Sequence, residues 1–242
     1  MNSNINPHPA LDFTRPLVTV DVVIFTVQDE ALKVLLVRRP DGPSEPFPGR
    51  WALPGGFVDL AKDVSLVDCA ARKLREKTGI STPYLEQLGS WGDRTRDPRG
   101  WSVTNVFFAL VPLAKPVDID ASSDLTSLQW VNVEAAQRKR LAFDHLRILT
   151  SAVARLRGKV EYTSLPSFLL AEPFTLPQLQ QTYEVVLGRS VDKSGFRRRM
   201  LDAKFLVEAG MMDSPGGRAA MGYRLVDRSL PITFPRTFRS GE

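Results

Sequence analysis

Apolar residues fall along this chain in two rhythms. Up to about residue 130 they come in short dense runs, and beyond residue 134 they recur at helical spacing. The run LVTVDVVIFTV at 17–27 is apolar and β-branched, which predicts a buried strand. VQDEA is a short polar turn, and 32–38 reads as the return strand. A loop dense in Pro and Gly covers 40–49, and 51–58 carries the pair Gly55-Gly56. A helix is predicted over 64–77, with Leu66, Cys69, Ala70, Lys73 and Leu74 on related turns and Gly79 placed for a left-handed cap. Strand-like runs follow at 85–91, 102–111 and 125–131, so this half reads as a mixed α/β layer domain.

From 134 to 159 the pattern predicts helix, with Leu141, His145, Ile148, Leu149 and Ala152 on one face. Pro166 and Pro173 bracket a short apolar segment, which puts a domain boundary within 157–172. The last unit reads helix, turn, helix, hairpin. Thr175 caps a first helix with Pro177 in its first turn and Leu176, Leu179, Tyr183 and Val186 in one stripe, ended by Gly188. Asp192 caps a second helix over 193–205, with Phe196, Met200 and Ala203 inward. Runs at 207–212 and 222–226 around a turn at 214–217 form a two-stranded wing.

Composition narrows the function. Of 242 residues, 43% are hydrophobic and 24% charged, as expected of a soluble chain with a core. With Cys69 as the single cysteine and only His8 and His145, neither a disulfide scaffold nor a zinc finger can be built. No apolar run approaches the ~18–20 residues that span a bilayer, and the N-terminus has no signal-peptide pattern, so a cytoplasmic location without membrane contact is expected. The charge is uneven. The first 150 residues hold 18 basic and 18 acidic side chains, and the last 92 hold 14 and nine. The net charge of +5 therefore lies in the C-terminal unit, which suggests a polyanionic partner.

The stretch from Gly55-Gly-Phe-Val-Asp59 to Arg72-Lys-Leu-Arg-Glu-Lys-Thr-Gly-Ile80 resembles the Nudix box, G-x5-E-x7-R-E-U-x-E-E-x-G-U with U a bulky apolar residue. Gly56, Arg72, Leu74, Glu76, Gly79 and Ile80 fall on the pattern. Flanking features agree: Arg38-Arg39 follow the hairpin strand, Trp51-Ala-Leu-Pro leads into the glycine pair, and Arg96-Asp-Pro-Arg-Gly100 resembles a loop common in members of the ADP-ribose type. The resemblance covers about residues 16–135. In active members carboxylates one helical turn apart converge on divalent cations. Here those three positions read Lys73, Glu76 and Lys77, the Gly56–Gly79 spacing is two residues too long, and only Asp59 and Asp63 lie near the first Glu position. The box therefore argues against hydrolysis; no catalytic or metal-binding residue is assigned, and Mg²⁺ is expected only if the altered site is still active.

The resemblance implies a ligand site formed by Arg39, Trp51, Gly55, Gly56, Phe57, Arg72, Glu76, Arg96 and Arg99, with the arginines clamping phosphate and Trp51, Phe57 or Trp101 stacking on adenine. Plainer readings stand beside it. Arg72 and Glu76 are i, i+4 and suit an ion pair worth about 0.3–0.5 kcal/mol. Arg39, Arg96 and Arg99 suit a solvated surface, the aromatics suit core positions, Cys69 suits a buried filler and His145 a packing residue.

In the C-terminal unit, KSGFRRR at 193–199 leaves Lys193, Ser194, Arg197 and Arg198 outward for phosphates and base edges, with Arg218 on the wing against backbone. Leu141-Ala-Phe-Asp-His145, Phe174-Thr-Leu, Tyr183-Glu, Asp192-Lys and Phe196-Arg-Arg together resemble the Nudix-related transcriptional regulators of the NrtR type. The resemblance covers all but the first ~15 residues and the tail after about Asp227. It implies an α+β chain: a Nudix α/β/α sandwich with a mixed sheet at 16–157, a linker at 158–172 and a winged helix-turn-helix at 173–230. It also implies a homodimer on a double-stranded DNA operator, ADP-ribose or a related metabolite as effector, and targets in NAD metabolism. The competing reading is a Mg²⁺-dependent Nudix hydrolase of ADP-ribose or another nucleoside diphosphate derivative, with the basic unit serving dimerisation or substrate cover. A third is a non-catalytic adaptor that does not bind DNA.

Overall fold

The computed structural model describes residues 15–79, 84–112, 128–213 and 219–238. Ile80, Arg218, the predicted turn at 214–217 and the first three residues of the predicted strand 125–131 lie outside them.

The first half is built on a seven-stranded mixed sheet. β1 (Leu17–Gln28) turns at Asp29 and Glu30, both at positive φ, into β2 (Ala31–Arg38). β3 (Trp51–Ala52) and β4 (Gly55–Phe57) add to β2 and β1 respectively. Helix α1 (Leu66–Thr78) starts at Ser65, whose side chain accepts from the Asp68 amide, and stops at left-handed Gly79. β5 (Tyr84–Asp93), β6 (Ser102–Leu110) and β7 (Leu128–Asn132) complete the sheet. β1 runs parallel to β6 and antiparallel to β2 and β4, which makes the sheet mixed.

Side chains alternate across β1, so one strand feeds two cores. Val20, Val22 and Ile24 pack with Cys69, Ala70 and Leu74 of α1. Val23 and Phe25 face the opposite layer, which holds Ile148, Leu149 and Ala152. These three come from α3 (His145–Val160), giving the expected α/β/α sandwich.

The predicted helix over 134–159 is interrupted. α2 (Val133–Ala136) is one turn, and residues 137–144 leave the helix before α3 begins. Gln-Arg-Lys-Arg at 137–140 offers no apolar group to bury. Ala142 instead donates its amide to the Trp51 carbonyl at 2.8 Å, and Phe143 takes a positive φ. The detour carries Phe143 and Asp144 to the mouth of the sandwich.

The segment expected as a linker, 158–172, packs into the core over 163–169. α3 continues into it, and all five residues of the 3-10 turn Leu165–Leu169 are buried. Beyond it, β8 (Phe174–Thr175) leads into α4 (Leu176–Leu187), whose start is a full capping box between Thr175 and Gln178. Helix α5 (Lys193–Asp202) ends short of the predicted 205, because Lys204 takes a positive φ and Phe205 turns into the core. β9 (Leu206–Met212) and β10 (Ala220–Leu225) form the wing hairpin. β8 adds a third strand, in the order β8-β10-β9. Two residues are too few for an alternation to reveal.

The C-terminal unit also extends past the expected limit at 230. Phe238 is buried against Tyr183 and Phe196, Phe234 against Phe205 and Phe238, and the backbone amides of Phe234 and Phe238 donate to the Tyr162 and Glu161 carbonyls at the end of α3. One apolar core thus runs from the sandwich through the joint into the winged unit.

Candidate functional site

A cleft of about 330 Å³ opens where β1, β4 and the start of α3 meet. Its floor is Asp21, the one charged side chain in the apolar run of β1 and almost fully buried. Burial pushes its carboxyl pKa up, but His145, the Thr104 hydroxyl and Arg96 outweigh this and hold it below the ordinary carboxylate range. Thr104 donates to Asp21 Oδ2 at 2.8 Å, and His145 Nε2 lies 3.6 Å from the same oxygen. The Leu53 amide donates to His145 Nδ1 at 2.9 Å, which leaves Nε2 to carry the proton facing Asp21.

The glycine pair now has a physical reason. A Cβ on Gly55 would sit 1.9 Å from Asp21 Oδ1, so only glycine allows β4 to close over the carboxylate. Gly56 has φ of 149°, and a Cβ there would meet Lys73 Nζ at 3.0 Å.

Of the nine residues expected at the ligand site, six line this cleft: Arg39, Gly55, Gly56, Phe57, Arg96 and Arg99. The arginines are already engaged. Arg39 pairs with Glu45 at 2.7 Å and lies over the Phe143 ring. Arg96 is buried and donates to both oxygens of Asp144, at 2.9 and 3.2 Å. Arg99 pairs with Asp97 at 2.8 Å and covers the ring of Phe57. The fit places them as a braced cationic wall, not as free surface charges.

Trp51, Arg72 and Glu76 stand elsewhere. Trp51 pairs with Arg38 across β3 and β2 and packs on the core. Arg72 grips Asp63 through two hydrogen bonds of 2.6 and 2.7 Å and reaches Glu76 at 2.9 Å. That bidentate bond pulls the Asp63 pKa far down. Asp63 and Glu76 are thus both held by one guanidinium, and Asp59 pairs with Lys62 at 3.1 Å. With Lys73 and Lys77 at the remaining positions, the donor set does not fit a hard divalent ion, which needs clustered free oxygen ligands.

Sequence reasoning missed Asp21, Glu45, Asp97 and Phe143 as cleft residues, and treated His145 as packing and Lys77 only as a lost ligand. Asp21 carried a usable signal, because a lone carboxylate inside a buried strand must be paired.

The second surface is α5. Lys193, Ser194, Arg197 and Arg198 are all exposed, while Phe196 and Met200 are buried beneath them. Arg197 and Arg198 form no ion pair among the described residues. Arg199 turns the other way: its guanidinium donates to the Thr237 carbonyl at 2.8 Å and stacks 4.1 Å over Phe238. A basic exposed helix beside a three-stranded wing is the arrangement that enters a major groove.

Comparison with known proteins agrees with both halves. Residues 15–152 match the NUDIX domain family, and residues 166–225 match the NrtR DNA-binding winged helix domain. The chain is 44% identical over 225 residues to an ADPR responsive transcriptional repressor, NtrR, of Acinetobacter baylyi, covering 93% of this chain and 88% of that protein. The crystal structure of Shewanella oneidensis NrtR complexed with a 27mer DNA superposes with a TM-score of 0.83 at 42% identity, over 92% of this chain and 99% of that one. The cocrystal structure of the NUDIX domain of the same protein with ADP ribose matches at 43% identity and a TM-score of 0.53, over 60% of this chain and 90% of that one. Sandwich, wing and basic helix therefore occur here in one chain for a shared reason: it belongs to the NrtR family of Nudix-related transcriptional regulators.

Proposed function

We propose that this chain is a transcriptional repressor that binds DNA through α5 and its wing and responds to ADP-ribose held in the cleft. The observation that carries the reading is the course of α3. Asp144 stands at the N-cap position of α3, and its carboxylate holds Arg96 of the cleft. Near its other end, Arg157 donates to the Val186 carbonyl at 3.0 Å, in the last turn of α4. The tail that supports Arg199 of α5 is bonded to the same end of α3. A ligand that re-pairs the cleft arginines acts on one end of a rigid rod whose other end sets the winged unit. It can change DNA affinity only by as much as its own affinity differs between the two arrangements. The relatives' response to ADP-ribose and the cocrystal support the choice of effector. A homodimer on a two-fold operator, in the cytoplasm, completes the proposal.

The test is fluorescence anisotropy on labelled DNA from the protein's own upstream region, with excess unrelated competitor at physiological salt, since nonspecific basic binding weakens steeply with salt. Selective binding that ADP-ribose alters is expected. Selective binding indifferent to ADP-ribose would remove the effector, and no selective binding would remove the repressor.

A further inference from the structure

One cation in the cleft is left over. Lys77 lines the cavity and is half-buried, yet among the described residues its ammonium makes no hydrogen bond or ion pair. The four arginines that line the cleft with it are each held by a carboxylate: Arg38 by Asp41, Arg39 by Glu45, Arg96 by Asp144 and Arg99 by Asp97. One turn earlier, at i−4 and so on the same face of α1, the Lys73 ammonium lies against Gly56 with only a loose 3.9 Å approach to Glu76.

A half-buried cation without a partner is costly, and a second cation beside it adds repulsion. The cost shows in the ionisation of Lys77: burial and then Lys73 push its pKa below the ordinary lysine value, against a smaller opposing pull from Glu76. A polyanion entering the cleft would relieve both.

We propose that Lys77, with Lys73 behind it, binds the diphosphate of the cleft ligand directly and without a divalent cation. The two ammonium groups stand at the box positions where hydrolases of this fold carry carboxylates for metal, and they supply the positive charge to the phosphate oxygens themselves. An ammonium neutralises a phosphate but polarises no attacking water, so the ligand is held and not cleaved. The proposal rests on the reading of the cleft as an ADP-ribose site and adds how that class of ligand is gripped.

Calorimetric titration of the full-length chain tests it, with ADP-ribose and separately with inorganic pyrophosphate, each in EDTA and in Mg²⁺. The expected result is ADP-ribose binding that EDTA leaves unchanged. Lys77→Gln should weaken it about 10- to 100-fold, as for loss of a hydrogen bond to a charged group. Lys77→Arg should retain most of the affinity, and Lys73→Gln should cost less than Lys77→Gln. Binding that EDTA abolishes, or that Lys77→Gln leaves intact in a variant with wild-type melting, would overturn the proposal while keeping ADP-ribose as ligand. Pyrophosphate binding that depends on Lys77 without ADP-ribose binding would keep the proposal and remove ADP-ribose. Binding of neither would overturn both.

Discussion

Helices α1 and α5 are both short and both carry basic clusters, yet they present them in opposite ways. On α1, Arg72 is tied to Asp63 and Glu76, and Lys73 and Lys77 are half-buried against the cleft. On α5, Lys193, Arg197 and Arg198 stand in solvent above a buried Phe196 and Met200. A shielded cation is fixed in place and poorly screened by salt, which suits one small anion of defined shape. An exposed row is hydrated and screened, which suits a polyanion met through many weak contacts. The same residue types thus suit two kinds of anion because their burial differs.

The contrast can be broken from several sides. The largest effect is expected from Arg96→Ala, which strands the Asp144 carboxylate at the cleft and removes a cation from beside Asp21. Breaking a buried pair from one side costs about 3–5 kcal/mol, to be read by chemical denaturation. Next comes α5: Arg197→Ala should weaken operator binding by about 1–3 kcal/mol with relaxed sequence preference if the side chain reads a base. A loss equal on all sequences, with a salt slope reduced by about one, would place it on a phosphate. On α1, Lys73→Glu combined with Lys77→Glu should lower ADP-ribose affinity and raise Mn²⁺ affinity, as measured by calorimetry. Unchanged Mn²⁺ binding would show that the two-residue insertion and the Arg72–Asp63 lock, not charge, keep metal away.

The smallest effect is one of acid stability. The Asp63 pKa is depressed on folding, chiefly by its hydrogen bonds from Arg72. A depressed carboxylate stabilises the fold above its unfolded value near 3.9, and that contribution is lost as pH falls through the folded value. Asp63→Asn should therefore lower the melting temperature at neutral pH, with the gap to wild type narrowing as pH falls below about 4. A constant gap would mean the bond acts through packing alone.

Much of the architecture could be read from local pattern. The strands β1 and β2, the caps at Gly79, Thr175, Gly188 and Asp192, and the outward set on α5 each follow from a few neighbouring residues. What could not be read depended on contacts between distant residues. Nothing local reveals that Gly55 is needed because Asp21 lies beneath it, or that Asp144 holds Arg96 across 48 positions. The break before α3 was hidden by a helical spacing of apolar residues that a loop satisfies equally well. Phe234 and Phe238 sit in a tail too polar to mark as core, yet both are buried. The box itself was visible as altered, but that Lys77 is left unpaired, among the described residues, beside four paired arginines is a property of the assembled cleft.

Coupling between the cleft and α5 is the central claim, and linkage gives it a direct test. The measurement is the affinity of the chain for ADP-ribose, by calorimetry in EDTA, with the chain free and then saturated with operator DNA. Coupling through α3 predicts that DNA changes ADP-ribose affinity by the same factor by which ADP-ribose changes DNA affinity. Equal ADP-ribose affinity in the free and DNA-bound chain would contradict it and leave cleft and winged helix as independent sites.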